Sequence, residues 1–152
     1  MKFMILATLA AASLGSVSAR AQVDLRMPVY HGQVAKPVLR PADREYRTRI
    51  RQAFAGGVNF AGHYIVIEIG CGMGCTLVYL GDAKTGRIQD VPLGGEDFFG
   101  LLLSYRKVSG DVLARWANDY KDENCHEQVY RFTGTSFVRV GQQRTLSGEC
   151  PR

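Results

Sequence analysis

His63-Tyr-Ile-Val-Ile-Glu-Ile69 and, beyond the link Gly70-Cys-Gly-Met-Gly74, Cys75-Thr-Leu-Val-Tyr-Leu80 decide how this chain folds. Both runs are dense in Ile, Val, Thr and Tyr, the side chains that pack best on a pleated surface. Each is too short and too β-branched for a buried helix, so two strands are expected, with Gly72 and Gly74 permitting a tight reversal between them. Downstream, Asp82-Ala-Lys-Thr-Gly86 is a hairpin signal, because Gly86 can take the left-handed position that closes a short loop. Further strands are expected over 87–91, 101–107, 112–117, 128–132 and 137–140, the last two flanking the turn Thr133-Gly-Thr-Ser136.

Upstream the period changes. Tyr46, Ile50, Ala53 and Phe54 recur at helical spacing, Asp43 and Glu45 would sit in the first turn, and Gly56-Gly57 can stop the helix. A helix is therefore expected over 42–55, after an extended, proline-punctuated lead-in over 22–41. The expected fold is α+β: one N-terminal amphipathic helix packed on a mostly antiparallel, meandering β-sheet, stabilised by disulfides. Hairpin spacing is like that of single propeller blades, but no internal repeat supports a propeller.

The chain of 152 residues suits one small domain, with 22% charged and 46% hydrophobic residues and a formal charge of +5. That composition excludes a disordered, fibrous or polytopic membrane protein. Lys2, the apolar run over 3–15 and the small residues Ser16-Val-Ser-Ala-Arg-Ala21 have the three-part layout of a secretory signal peptide. Cleavage is expected after Ala21, or after Ala19, leaving one globular domain over 22–152. The apolar run is too short to span a bilayer, and no other approaches that length. The expected destination is the periplasm or the medium, with no membrane span after cleavage.

All four cysteines, Cys71, Cys75, Cys125 and Cys150, follow the expected cut. An even number in an exported chain reads as two disulfides, with three possible connectivities. Pairing Cys71 with Cys75 and Cys125 with Cys150 is favoured; crossed pairings are the alternative. On chain entropy the longer loop would contribute about 3.5 kcal/mol and the five-residue ring about 2 kcal/mol.

The order Asn59-Phe-Ala-Gly-His-Tyr64, Gly70-Cys-Gly-Met-Gly-Cys75, Asp82-Ala-Lys-Thr-Gly86 resembles a group of small exported bacterial proteins without established function. The likeness spans residues 45–90, about a third of the chain. It implies export and a β-rich fold, and brings no catalytic residue with it.

Two features carry possible chemistry. Arg44, Arg47 and Arg51 share the helix face opposite Tyr46, Ile50 and Phe54, with Arg40 and Arg49 nearby. Arginines so arrayed would bind phosphate, carboxylate or an acidic protein surface. The plainer reading is a solvated face partly paired with Asp43 and Glu45. The second feature is the Cys71–Cys75 loop. If its thiols were free, Cys71, Met73 and Cys75 with His63 would make a soft ligand set suited to copper, or a redox pair.

Other candidates are weaker. Glu68 stands in the most apolar strand, where burial could raise its pKa, or where an arginine or solvent could keep it charged. Asp90, Glu96 and Asp97 would need to face one cleft to act as paired carboxylates. Trp116, with Leu113 and Tyr120, reads as packing. No nucleophile motif or zinc-protease motif occurs, and nothing interleaves aromatic and basic residues as a nucleic-acid binder would. The sequence leans away from an enzyme. It favours an exported binding protein, of inhibitor or immunity type, meeting an acidic protein or other anionic ligand; the alternative is a periplasmic copper-binding or thiol-redox factor.

Overall fold

The computed structural model describes residues 26–148 and Cys150. The expected signal peptide and both cleavage points lie outside the described residues. Among the described residues no helix is long and apolar enough to cross a membrane.

After a 3-10 turn at Pro41–Arg44, helix α1 (Arg47–Ala55) precedes seven strands: β1 (Tyr64–Gly72), β2 (Cys75–Asp82), β3 (Ile88–Gly95), β4 (Phe99–Tyr105), β5 (Asp111–Ala117), β6 (Asn124–Phe132) and β7 (Phe137–Ser147). Every pairing is antiparallel between sequence neighbours, as a meander requires. The single sheet expected from sequence is in fact two sheets, β1-β2-β3 and β4-β5-β6-β7. The chain leaves the first sheet at Gly94 and Gly95, both with positive φ. Phe98 then turns inward against Trp116, ring centroids 4.9 Å apart, so β4 starts in a second layer.

This explains the consecutive apolar residues Ile65, Val66 and Ile67 of β1, where the strand is covered on both faces. Val66, with Val78 and Leu80 of β2, packs against Val112, Ala114 and Trp116 of β5. On the other face Ile65, Ile67 and Ile69 meet Ile50 and Phe54 of α1. Phe60 joins the inter-sheet core, fully buried and 6.0–6.2 Å from the rings of Tyr105, Phe132 and Phe137. Burying such a side chain contributes roughly 1.5–3 kcal/mol, so these clusters hold the three layers together.

The helix expected over 42–55 is divided. Pro41 opens a 3-10 turn, and Asp43 is drawn inward, where its carboxylate accepts the Arg40 main-chain N–H at 2.7 Å. The α-helix begins only at Arg47, so neither Asp43 nor Glu45 lies in its first turn. Gly57, with φ of 79°, supplies the left-handed residue beyond its end. The lead-in is extended but pairs as single links, not as a strand: Met27, Tyr30, Ala35 and Val38 donate to the carbonyls of Val108, Gly62, Ala83 and Gly86.

Candidate functional site

The structure contains disulfides Cys71–Cys75 and Cys125–Cys150. The first closes the β1–β2 turn, and the second ties the chain after β7 to the start of β6. Joined to each other, Cys71 and Cys75 offer no thiolate in this state, and reduction must precede any soft-metal ligation there. His63 is directed elsewhere: its ring stacks on Tyr64 at 4.1 Å, and burial, then nearby Lys84, lowers its pKa. Among the described residues no three His, Cys, Asp or Glu side chains are grouped to hold a metal ion. Met73 is 90% exposed at the tip of the disulfide ring.

The arginine face expected on one helix is divided: Arg44 lies in the 3-10 turn and Arg47 and Arg51 on α1, and of the two acidic neighbours expected there Glu45 is exposed while Asp43 is taken. Asp43 is fully buried and bound by the Arg40 guanidinium, Nη2 to Oδ1 at 2.8 Å. The same guanidinium reaches Asp90 on β3, Nη1 to Oδ2 at 2.8 Å. These contacts hold both carboxyls below the usual range and keep Arg40 charged. Arg40 is thereby a structural residue, pinning the 3-10 turn to the first sheet. Arg44, Arg47, Arg49 and Arg51 are all exposed, and among the described residues none forms an ion pair. Arg47 donates only to the carbonyl of Arg44, at 3.0 Å. Four cations thus lie unpaired along one turn-and-helix segment, with Glu45 as its one exposed carboxylate.

The paired-carboxylate idea is not assembled. Asp90 is occupied by Arg40, while Glu96 and Asp97 lie in the crossing between sheets. Glu68 accepts from the Tyr105 hydroxyl of β4 at 3.0 Å, and dehydration beside that ring raises its pKa. It therefore meets neither an arginine nor a substrate-facing partner.

A feature that sequence reasoning missed is an open cleft of about 650 Å³ where the β1–β2 turn meets β4 and the β5–β6 loop. Gly74 builds its wall: φ is 71°, and an added Cβ would fall 2.1 Å from the Phe99 ring, so only glycine fits. The Gly100 N–H donates to the Gly74 carbonyl at 2.7 Å, joining the two sheets at this point. Phe99, Leu101 and Leu102 provide apolar lining; Tyr120, 72% exposed, stands with Asp119 and Asp122 on the facing loop. A smaller recess of about 280 Å³ adjoins it and carries Met73 and Glu96. These residues come from four segments distant in sequence, and no periodic signal links them.

Asp122 is fixed from several sides. His126 Nε2 lies 2.9 Å from Oδ2, Asn118 Nδ2 donates to the same oxygen at 2.7 Å, and the Asn124 N–H donates to Oδ1 at 3.0 Å. These bonds hold its carboxyl well below the ordinary range, so it stays charged. With Nε2–H given to Asp122, Nδ1 of His126 is left for the Thr145 hydroxyl at 3.2 Å. This has the connectivity of a nucleophile–base–acid chain, but of the three only Asp122 reaches the cleft. Its role here is to tether the β5–β6 loop to β7.

Compared with known proteins, the chain matches no family model, and no curated protein or solved structure is significantly similar to it.

Proposed function

We propose that the protein is an exported, non-enzymatic binding protein that engages an anionic surface of a partner, in the manner of an inhibitor or immunity protein. One observation carries this reading: Arg44, Arg47, Arg49 and Arg51 are exposed on one segment and none forms an ion pair among the described residues; with Asp43 buried against Arg40, the exposed Glu45 is the single carboxylate left beside four cations. Exposed cations of this kind accelerate encounter with acidic partners and pair bidentately with carboxylates on arrival. Two disulfides in a domain this small accord with an oxidising, extracytoplasmic setting.

The test uses a fluorescent hexaglutamate peptide and the triple variant Arg44→Glu, Arg47→Glu, Arg51→Glu. Binding by the parent chain should weaken as salt rises, and the variant should bind at least tenfold more weakly. Equal binding by the two chains rejects the arginine face.

A second reading rests on Met73, a thioether held in solvent between two cysteines. Reduction of Cys71–Cys75 would place two thiolates and a thioether in one short loop, a set suited to copper(I). Intact-mass measurement with and without alkylation decides it. Free thiols at Cys71 and Cys75 under periplasmic redox conditions, with stoichiometric copper, would favour it over the binding protein.

A further inference from the structure

The cleft at the β1–β2 turn is independent of the arginine face: no residue of α1 lines it. Its charge is also opposite. Asp119 and Asp122 line the cleft, Glu96 lines the adjoining recess, and among the described residues no lysine or arginine lines either. Asp119 commits one oxygen, Oδ1, to the Lys121 N–H at 2.7 Å, and Oδ2 has no hydrogen bond among the described residues. Asp122 contributes fixed negative charge, its oxygens already bonded. Between these acids and the β1–β2 turn lie Phe99, Leu101 and Leu102, and the rims carry Met73 and Tyr120, two of the most exposed large apolar side chains among the described residues. Exposed apolar groups around a concavity mark a recognition surface.

Apolar walls with acidic ends, and no cation among the described lining residues, suit a side chain that is aliphatic along its length and positive at its tip. The rim already shows such a contact: Lys121 Nζ lies 5.2 Å from the centre of the Tyr120 ring. We propose that this cleft binds a basic, amphipathic peptide segment of a partner protein. A lysine or arginine stem would lie along Phe99 and Leu101, with its charged head at Asp119 and the Tyr120 ring. Neighbouring apolar residues of the peptide would cover Met73. Lys121 would then be a resident competitor for the Tyr120 face.

The experiment is a titration of the disulfide-intact protein with a capped heptapeptide alternating leucine and arginine, followed by backbone amide NMR; the peptide with glutamate for arginine is the control. Saturable shifts are expected at Gly74, Gly100 and Ala117, with none in α1. Asp119→Asn should weaken binding at least fivefold, and Tyr120→Ala severalfold. Lys121→Ala should tighten it by freeing the ring. Equal shifts with the glutamate peptide, shifts that do not saturate, or an Asp119→Asn variant that binds as the parent does would each overturn the proposal. All three substitutions sit on the exposed loop, and the unshifted amides of the core report that the fold is retained.

Discussion

The side-chain amide of Asn59 bonds both main-chain polar groups of Val66, accepting its N–H at 2.7 Å and donating to its carbonyl at 3.1 Å. β1 is an edge of the first sheet, and at this point Asn59 stands in for the missing neighbouring strand. Val66 is buried, so no water replaces the amide if it is removed. Asn59→Ala should therefore cost about 1–3 kcal/mol, the penalty of unpaired buried polar groups. Urea unfolding would register this as a lower midpoint at unchanged slope. A midpoint equal to the parent's would mean that β1 satisfies its edge in another way.

Asp43 combines a main-chain capping contact with a paired guanidinium, and it is fully buried. Asp43→Ala should destabilise the chain by about 2–4 kcal/mol, below the upper range for a broken buried pair because Arg40 is partly exposed and keeps Asp90. The folded carboxyl titrates below its unfolded value of 3.8, so its contribution is complete above that pH and fades as pH falls through the folded value. Asp90, Asp111 and Glu127 are depressed in the same direction by their arginines. Unfolding curves of the parent should thus lose stability steadily below about pH 4, and those of Asp43→Ala less steeply. Parallel pH profiles for the two chains would contradict the assignment.

Glu68 runs the other way. Its folded pKa lies above the unfolded 4.5, so the protonated form is favoured in the fold and stability is lost as pH rises through the folded value. Glu68 stands exposed on the edge strand, so solvent screens most of this effect; Glu68→Gln keeps an acceptor for the Tyr105 hydroxyl and removes the charge. It should raise the denaturation midpoint slightly at neutral pH, and the gain should disappear below about pH 4. A neutral or lower midpoint at pH 7 would show that solvent at this exposed edge accommodates the charge without cost.

The two disulfides differ in the loops they close, with sequence separations of 4 and 25. Chain entropy predicts a loss of about 3.5 kcal/mol for Cys125→Ser with Cys150→Ser, against about 2 kcal/mol for Cys71→Ser with Cys75→Ser. The second pair of substitutions should also loosen the Gly74–Phe99 contact and open the cleft. Reversal of that ranking in urea would point to unfolded-state structure around the short ring.

Local patterning determined most of the elements. The period-two and β-branched runs around residues 63–80 determined that strands form, and the turns at 82–86 and 133–136 determined that they follow one another as hairpins, because neighbouring strands need only short-range closure. The helical stripe of Tyr46, Ile50 and Phe54 likewise set which face of α1 turns inward and left its arginines outside. Tertiary structure decided the rest. That the strands divide into two sheets depends on Phe98 reaching Trp116, and that Asp43 is buried depends on Arg40 spanning to Asp90, fifty residues away. The cleft depends on four segments meeting, and Tyr120, read in sequence as packing with Leu113 and Trp116, instead stands 72% exposed at its rim beside Asp119. Periodicity records only which side of an element is covered. Which residues of separate elements come into contact is set by packing between layers, for which a linear pattern has no term.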